Sequence, residues 1–409
     1  MIEICPSEQC TGCTACSVAC GKSAISMQPD AEGFIRPVID ANLCVECGRC
    51  ATVCPVNNAV VKSEPKQIFS GWSRDKAIRL QSTSGGAFSE IARLVLSDGG
   101  AVCGATYDAE LNVRHTTVET WEDMDRLRRS KYVQSDASEG MRQTLALLRA
   151  GRKVLFSGTP CQVAAMRSLA GAKGENLVTA EVLCHGVPSP MVYRDYLTYI
   201  EHEKNFKINS INFRDKRFSW PHYNLSTTGC SGETQEKREN IGHYSSDPFL
   251  RGFLTELFLR PSCHTCRYCT SGRVADFTIA DWWGYKPRGL RDSGYAYKGV
   301  SLLLANTERA VAMLPRMNMS LRPQTLQEAK GTNPVLSRPF EASERREAFW
   351  EKYRTSGFTA ELVAEFLGAK RVSVCDRVLE RVRNWDLVVV AVKVVGKITF
   401  IGKKLLHIK

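Results

Sequence analysis

Apolar residues recur along this chain with two different periods, and from about residue 66 the two patterns alternate. The run Ile68–Trp72 has the residue types of a strand. Between residues 88 and 96 the apolar positions have the spacing of an amphipathic helix, which Gly99-Gly100 ends. The preceding segment, Ser82–Gly86, supplies a serine N-cap and a glycine pair that lets a ligand approach the backbone. Such segments cap helices more often than they bind ligands, so this pattern alone is weak evidence for a site.

A second alternation predicts a strand–helix–strand unit. Lys153–Ser157 and Leu177–Leu183 are strand-like, and Pro160–Leu169 between them is helix-like. A right-handed crossover makes the two strands parallel, so that their carboxyl ends lie at one edge of the sheet. Cys161 and Cys184 each follow such an end. We therefore expect a mixed α/β domain in which these two cysteines meet where open sheets bind their ligands.

The first 62 residues are organised by cysteine spacing instead of apolar periodicity. Each of two runs has the spacing C-x2-C-x2-C-x3-C, and a proline follows the second run. Bacterial ferredoxins hold two cubane clusters with this spacing, the fourth cysteine of each run binding the cluster of the other run. Zinc is the alternative, but it leaves the third close cysteine and the offset fourth unexplained. The predicted 4Fe-4S ligands are Cys10, Cys13, Cys16 and Cys54 for one cluster, and Cys44, Cys47, Cys50 and Cys20 for the other.

A further set of cysteines, with the spacing C-x2-C-x2-C, lies between a helical pattern at 249–259 and a strand pattern at 276–281. Two of these cysteines together with Cys161 and Cys184 would form a third four-cysteine site. A 4Fe-4S cluster is preferred to zinc there because the chain already binds clusters. The alternative is that Cys161 and Cys184 are small buried residues, as free cysteine often is. The set consists of Cys263, Cys266 and Cys269, while Cys5, just outside the first run, is predicted to be a spare thiol.

Length and charge limit the remaining possibilities. The 409 residues exceed the size at which a single core usually divides, so two or three domains are expected. The net charge of +12 is uneven: residues 1–62 carry −2 and residues 370–409 carry +7. A local anionic partner fits this distribution better than a nucleic-acid surface, and no nucleic-acid-binding motif accompanies it. The N-terminus lacks a secretory signal, so the 17 cysteines are expected as thiols in the cytoplasm.

Five motifs stand in order along the chain: Ser84-Gly85-Gly86, Ser130–Ser135, Gly158–Gln162, Cys184-His185-Gly186 and Ile279–Gly284. Together they resemble the beta subunit of coenzyme F420 hydrogenase/dehydrogenase, over about residues 1–305. Fusion to an N-terminal two-cluster ferredoxin domain recurs in that family. The resemblance implies FAD and a 4Fe-4S cluster that together move electrons between one-electron carriers and a two-electron substrate.

The resemblance also implies site residues. The chain has no G-x-G-x-x-G, so a Rossmann dinucleotide site is not indicated and the flavin rests on the resemblance alone. His185 is expected to make a supporting hydrogen bond beside Cys184 in preference to transferring a proton. The implied ligands of the third cluster are Cys161, Cys184, Cys263 and Cys266, with Cys269 as substitute, and the implied flavin-lining residues are Ser82, Ser84, Gly85, Gly86, Lys131, Tyr132 and Gln134.

The predicted function is that of an iron–sulfur flavoprotein oxidoreductase. Electrons would pass from a donor such as ferredoxin through 4Fe-4S clusters to FAD, and then to a small-molecule acceptor. Bacterial relatives accompany extracellular-polysaccharide pathways, so the resemblance implies a sugar-linked acceptor. Two alternatives stay open: an electron-transfer subunit without its own substrate, and a deazaflavin dehydrogenase subunit. The presence of a flavin would distinguish the oxidoreductase from an electron-transfer subunit, because an electron relay works with clusters alone.

The predicted fold class is mixed α/β, with a helical and basic C-terminal part. On a helix, a narrow stripe of charged side chains beyond residue 385 would face away from a broad apolar face, as in helices that lie in a membrane surface. Packing against the core or a second subunit is the alternative. Only the membrane-surface interpretation predicts peripheral contact with the inner face of the membrane. The predicted domains are a ferredoxin-like domain at 1–62, a flavin-binding domain at 66–305, a helical region at 306–384 and an amphipathic tail at 385–409.

Overall fold

The computed structural model describes residues 3–231, 235–285 and 298–368. Its small N-terminal part is built around a hairpin in which β1 (Ile25–Pro29) pairs antiparallel with β2 (Ile35–Ile39). Two short helices, α1 (Ala15–Ala19) and α2 (Arg49–Thr52), lie against each other beside this hairpin. Both cysteine runs lie on the loops and helices at its ends, in the arrangement that the spacing predicted for a ferredoxin-like region.

The larger part is built on a sheet of eight strands in the order β13-β3-β12-β11-β7-β6-β4-β5. The pairs β4–β6, β6–β7 and β7–β11 are parallel, and the other pairs are antiparallel. The mixed α/β class is therefore confirmed. The strands of this sheet are β3 (Gln67–Ser73), β4 (Ala101–Tyr107), β5 (Val113–Val118), β6 (Val154–Gly158), β7 (Leu177–Val182), β11 (Phe277–Asp281), β12 (Ser301–Ala305) and β13 (Met319–Pro323).

Three further strands form a separate antiparallel sheet in the order β10-β9-β8. A core rich in aromatic residues joins this small sheet to the helices at 190–204 and 346–356. Its strands are β8 (Lys207–Asp215), β9 (Asn224–Cys230) and β10 (Lys237–His243). The remaining helices are α3 (Lys76–Gln81), α4 (Ala87–Ser97), α5 (Ser138–Arg149), α6 (Pro160–Ala170), α7 (Pro190–Lys204), α8 (Pro248–Leu254), α9 (Glu308–Met313), α10 (Leu326–Thr332), α11 (Arg346–Ser356) and α12 (Ala360–Leu362).

The strand–helix–strand unit forms as its pattern predicted. Strands β6 and β7 are parallel over five residue pairs, and α6 connects them. The apolar residues of β6 are fully buried, as expected for a parallel strand covered on both faces. Thr159 and Gln162 form a reciprocal capping box at the start of α6, and Pro160 occupies its first turn. These local signals hold Cys161 at a helix start beside the edge of the sheet.

Two predicted details of the helices are wrong. Helix α4 begins with Gly86 as its N-cap, in a left-handed conformation with φ of 99°, and no serine side chain caps it. The helical pattern at 249–259 gives a helix only as far as Leu254, because Glu256 then takes a positive φ. Apolar periodicity located both helices, but the tertiary contacts of the flanking loops decided where each one starts or ends.

The structure also differs from the predicted division at residue 305. Strand β13, within the supposed helical region, pairs with β3 in the main sheet. Residues up to Gly368 therefore belong to one compact unit with the N-terminal part. The predicted tail at 385–409 lies outside the described residues. Within the residues that are described, no helix is long and apolar enough to cross a bilayer.

Candidate functional site: three cysteine sites and a cleft

The first site gathers cysteines from both ends of the N-terminal region. Gly12 and Thr14 both have positive φ, which turns the loop tightly enough to place its cysteines side by side. The Cys16 thiol interacts electrostatically with Cys10 and Cys54, as does Cys13 with Cys16 and Cys54. We call Cys10, Cys13, Cys16 and Cys54 the first site; it contains the four residues predicted to share one cluster.

Cys5 is closer to this site than its sequence position indicated. Its side chain hydrogen-bonds with both Cys10 and Cys54, and these bonds raise the pKa of the Cys5 thiol while lowering those of its partners to about 6. The prediction of a spare thiol is compatible with this position. It missed the contact, because the residues between Cys5 and Cys10 do not follow ferredoxin spacing.

The second site lies at the more exposed end of the N-terminal region. Burial raises the pKa of the Cys50 thiol, and Cys47 and Cys20 add to the shift because they lie nearby. Cys44 begins the same loop, with its amide bonded to the Asp40 carbonyl at 3.0 Å. Gly48, with φ of 71°, makes the turn between Cys47 and Cys50. The second site comprises Cys20, Cys44, Cys47 and Cys50, of which Cys47 is exposed.

The third site is assembled from three separated segments. Cys161 lies in the first turn of α6, and Cys184 follows β7. Cys263 and Cys266 lie on the loop after α8, and each interacts electrostatically with Cys161 and Cys184. Burial raises the pKa of the Cys161, Cys184 and Cys263 thiols. The third site is therefore the set Cys161, Cys184, Cys263 and Cys266, the set that the resemblance implied.

Cys269 also reaches the third site, as a fifth thiol. Its side chain hydrogen-bonds with Cys266, and it interacts electrostatically with Cys184. The donors at all three sites are thiols, which are the ligands that Fe–S clusters require. The chemistry and the number of the side chains thus fit a 4Fe-4S cluster at each site.

A buried ion pair holds the loop of the third site against the sheet. Arg273 pairs with Glu181 of β7, and both side chains are almost completely inaccessible to solvent. The guanidinium also donates to the carbonyls of Tyr268 and Thr270, at 2.9 Å each. Thr278 donates to the same carboxylate at 2.8 Å. Since Cys266 and Cys269 flank Tyr268, this pair fixes the path of the segment that carries them.

The first and third sites are neighbours. Cys13 interacts electrostatically with Cys161, and the buried ring of Tyr268 lies close to Cys13, Cys161 and Cys266. The second site adjoins the first through the shared helices α1 and α2, which contact each other. The three sites therefore form a series that starts at exposed Cys47 and ends inside the larger part.

A cleft of about 440 Å³ opens beside the third site. Cys161 and Cys184 lie at its wall, and Thr11 and Gly12 reach it from the N-terminal region. Six of the seven residues implied as flavin contacts line it: Ser82, Ser84, Gly86, Lys131, Tyr132 and Gln134.

The seventh residue, Gly85, lies beneath the cleft wall. Its amide donates to the Ser301 hydroxyl at 3.0 Å, and a Cβ there would lie 2.4 Å from the Gly71 carbonyl oxygen. Gly85 is thus required for close packing of the loop on β3 and β12. The hydroxyls of Ser82 and Ser84 donate to the carbonyls of Ile78 and Val300 at 2.7 and 2.8 Å. The loop therefore offers a ligand its backbone more than its hydroxyl groups.

The other implied contacts are held by specific bonds. The Lys131 ammonium donates to the Arg128 carbonyl at 2.7 Å, and burial lowers the pKa of Lys131 to about 7. The Tyr132 hydroxyl accepts from Arg214 at 3.2 Å. Gln134 has a second role that its motif did not indicate, because its side-chain oxygen accepts from the amide of Ile35 at 2.9 Å. It therefore joins the cleft to the N-terminal region.

Buried donors without acceptors identify what kind of ligand the cleft suits. Gln134 Nε2 and Arg214 Nε and Nη2 are buried and have no hydrogen-bond partner among the described residues. Both residues line the cleft, and both side chains are more than nine-tenths buried. A buried unpaired donor is costly, typically about 1–3 kcal/mol. The cleft therefore favours a ligand rich in hydrogen-bond acceptors, and a flavin ring or a phosphate meets that requirement.

Comparison with protein families agrees with this arrangement. Residues 151–328 match the family described as the C terminus of the beta subunit of coenzyme F420 hydrogenase/dehydrogenase. These residues are therefore similar to that family over somewhat less than half of the chain. Residues 9–58 match a 4Fe-4S dicluster domain, and a second dicluster description matches residues 36–87. The resemblance found in the motifs is confirmed, and the N-terminal region matches a 4Fe-4S dicluster domain.

Individual relatives cover parts of the chain. The F subunit of the F(420)H(2) dehydrogenase from Methanosarcina mazei is 25% identical over 190 residues, which are 43% of this chain and 53% of that protein. The ferredoxin-type protein NapF of Escherichia coli K12 is 34% identical over 55 residues, which are 13% of this chain and 34% of NapF. The chain thus spans about half the length of the first relative and a third of the second. A chain of the F420-reducing [NiFe] hydrogenase complex from Methanosarcina barkeri aligns with a TM-score of 0.45 and 15% identity, over 72% of this chain and 94% of that one.

His185, in one of the family motifs, also lines the cleft. Its Nε2 lies 3.0 Å from a Glu256 carboxylate oxygen, and its ring stacks on Phe340 with the centroids 4.0 Å apart. The hydrogen bond thus goes to a carboxylate. The sequence did not point to Glu256, because it lies in a loop without any motif.

Proposed function

We propose that this protein is an iron–sulfur flavoprotein oxidoreductase that carries electrons through three 4Fe-4S clusters to FAD in the cleft. The observation that carries this proposal is the placement of the cleft directly beside the third site. Cys161 and Cys184 contribute to both, so a ligand in the cleft would be adjacent to a cluster held there. The family of residues 151–328 and the dicluster domain support a redox role.

The polar groups of the cleft support a flavin as the ligand. The unpaired donors on Gln134 and Arg214 suit the acceptor atoms of a flavin ring. Among the described lining residues, three arginines stand against one carboxylate, Asp281, which suits the diphosphate of FAD. The arginines are Arg128, Arg129 and Arg214, and Lys131, with a pKa of about 7, adds a partial positive charge. When bound, a flavin would exchange single electrons with clusters and electron pairs with a substrate.

Electrons would enter at the second site from a redox partner such as ferredoxin. Cys47 is exposed there, and the adjacent apolar residues Leu43 and Val45 are 49% and 60% exposed. Exposed apolar side chains around a redox site suit transient contact with a carrier protein. The acceptor beyond the flavin is proposed to be a small anionic molecule. A sugar-linked intermediate is proposed from the motif resemblance alone.

The test is anaerobic reconstitution followed by iron, sulfide and flavin analysis of one sample. We expect about twelve irons and one flavin per chain, and a loss of about four irons in Cys161→Ser. Cys230→Ser is the matched control, because Cys230 is a half-buried thiol on β9 outside all three sites. About eight irons in both the wild type and Cys161→Ser would contradict the third cluster.

A relay protein without its own substrate is the second candidate. The name of the M. mazei relative, a subunit of a dehydrogenase, favours it. Flavin analysis separates the two candidates, because a relay needs clusters alone. Protein that holds about twelve irons but takes up neither FAD nor FMN would support the relay. A deazaflavin is tested in the same experiment by adding coenzyme F420 and recording its absorbance as dithionite-reduced protein is mixed with it.

A further inference from the structure

Arg260 connects the first and third sites. It lies three residues before Cys263, and its backbone carbonyl accepts from the Cys263 amide at 2.9 Å. Its side chain extends into the N-terminal region, where the guanidinium donates to the Cys10 carbonyl at 3.1 Å and to the Ile35 carbonyl at 3.0 Å. The residue is 1% exposed. One residue thus bonds to the backbone at both cysteine sites, through its buried guanidinium at the first and through its own carbonyl at the third.

The surroundings of this guanidinium are closely packed. It lies over the ring of Phe34, with 4.8 Å between its central carbon and the ring centroid. A Cβ on Gly12 would lie 2.5 Å from one guanidinium nitrogen, so the loop of the first site approaches as closely as glycine allows. The Ser262 hydroxyl donates to the same Cys10 carbonyl at 3.1 Å. The position of the charge relative to the first site is therefore fixed by packing on several sides.

Arg260 has no carboxylate partner among the described residues, which sets it apart from two comparable arginines. The buried side chains of Arg214 and Arg273 form ion pairs with Asp281 and Glu181. In the described part of the chain, Arg260 forms no ion pair, and it is bonded to neutral carbonyls. Burying an unpaired charge costs several kcal/mol. An arginine stays protonated under all ordinary conditions, so the negative charge that offsets it must come from another group.

Among the ionisable neighbours of this guanidinium, the cysteines attract it most strongly. Arg260 interacts electrostatically with Cys10 and with Cys263, and Asp30 contributes a smaller attraction. Cysteines that bind a metal cluster are thiolates, so loaded sites would place negative charge on both sides of the guanidinium. Arg36 adds a small repulsion. The thiolates at the two sites would therefore supply the negative charge that offsets the buried guanidinium, which no carboxylate of the described residues supplies through an ion pair.

We propose that Arg260 is the counter-charge shared by the clusters of the first and third sites, and that it raises the reduction potential of both. This inference rests on the proposed function for the third site, but its effect on the first site needs only the dicluster domain. Adding an electron makes a cluster more negative, so a fixed cation nearby stabilises the reduced form. The effect is strong because the interior screens charge weakly. Because one cation acts on both clusters, it shifts their potentials in the same direction and makes both easier to reduce.

The test is a redox titration of the reconstituted protein followed by electron paramagnetic resonance. In Arg260→Gln, we expect the ratio of reduced to oxidised cluster at fixed potential to fall about tenfold at both sites, equal to about 59 mV for one electron. The second site should move much less. Arg251→Gln is the matched control, because Arg251 also donates to two carbonyls, of Leu367 and Ser245, and has no ion pair among the described residues.

The outcomes separate this inference from the proposed function. If Arg260→Gln keeps its full iron content and its reduction potentials are unchanged, the inference is overturned, but the proposal of three clusters is unaffected. About eight irons in the wild type would overturn the third cluster, and the first site would still report the effect of Arg260. If Arg260→Gln loses iron, Arg260→Lys decides. If Arg260→Lys keeps its full iron content, and its ratio of reduced to oxidised cluster at fixed potential stays within about threefold of the wild type, the charge of residue 260 is what matters. If Arg260→Lys loses as much iron as Arg260→Gln, the role of Arg260 is to hold the loops.

Discussion

The first and third sites present similar thiols to a cluster, but they are assembled differently. Each gathers four cysteines with a fifth thiol in contact, Cys5 at the first site and Cys269 at the third. The first site comes from two turns of one short region. The third needs a helix start, a strand end and a loop that are far apart in sequence. A site of the first kind can be read from spacing, whereas a site of the second kind depends on the stability of a whole sheet.

The largest expected effect comes from breaking the ion pair that supports only the third site. Glu181→Ala leaves Arg273 buried without its carboxylate, and breaking a buried pair in this way typically costs about 3–5 kcal/mol. The loop through Tyr268 and Thr270 should then lose its anchor. We expect a lower denaturation midpoint and a loss of about four irons, with the N-terminal clusters retained.

The control for this change is Glu308→Ala. Glu308 pairs with Lys66, but its side chain is 81% exposed, and exposed pairs contribute about 0–1 kcal/mol. Iron and sulfide analysis with a parallel urea titration would check both variants. Equal loss of iron from the N-terminal clusters in Glu181→Ala would show that the two sites do not differ in their dependence on the sheet.

The contrast between the sites also explains which cysteine ligands could be predicted from the sequence. The dicluster region was predictable because three ligands of each site lie within one loop, where spacing fixes geometry. Cys161 and Cys184 were predictable only through the parallel pairing of β6 and β7, which places two strand ends side by side. The choice of Cys263 and Cys266 came from the family resemblance, since no periodicity links that loop to the sheet.

The cleft was harder to predict, because its polar groups come from many elements. Most residues of the five motifs line it, but they are fewer than half of its lining residues, and Gly85 proved to be a packing residue. The bond from Ile35 to Gln134 and the reach of Arg260 to Cys10 join regions far apart in sequence. Such contacts depend on how the two parts pack together, and neither propensity nor spacing encodes that.

A smaller effect should follow from disturbing the contact between the two regions. Gly12→Ala must hold a side chain at φ of 63°, within 2.3 Å of Gln134 Nε2 and 2.5 Å of Arg260. Gly48→Ala meets the same backbone strain at φ of 71° but has no neighbour within 4 Å among the described residues. The strain costs about 1–2 kcal/mol in each variant. We expect Gly12→Ala to lose about 2 kcal/mol more, because close-packed neighbours must move.

Denaturant midpoints of the two glycine variants, measured anaerobically on reconstituted protein, would check this. A matching shift in electron transfer from the first to the third cluster, followed by rapid-mixing spectroscopy, would locate the damage at the contact. If the two variants are equally destabilised, the contact between Gly12 and the larger part contributes little to stability.

The smallest expected effect is a pH dependence of stability that arises in the larger part of the protein and not from histidine in residues 1–62. Residues 1–62 contain no histidine, whereas His115 is buried beside the cleft, between the Ser135 hydroxyl at 2.7 Å and the Ser157 carbonyl at 3.0 Å. Burial lowers the pKa of His115 to about 4, and the charge of Lys131 adds to the shift while Asp136 opposes it. The unfolded chain binds this proton near pH 6.5, so it holds more protons than the folded chain between about pH 4 and 6.5.

Stability should therefore fall as the pH falls through this window, by about 1 kcal/mol between about pH 7 and 5.5 from His115 alone. His115→Gln should reduce the loss by about that amount. His202→Gln, at a side chain that is 88% exposed, should leave it nearly unchanged. Urea midpoints at the two pH values would measure both. An undiminished pH dependence in His115→Gln would assign the acid sensitivity to other groups, among which half-buried His264 is the next candidate because partial burial also lowers its pKa.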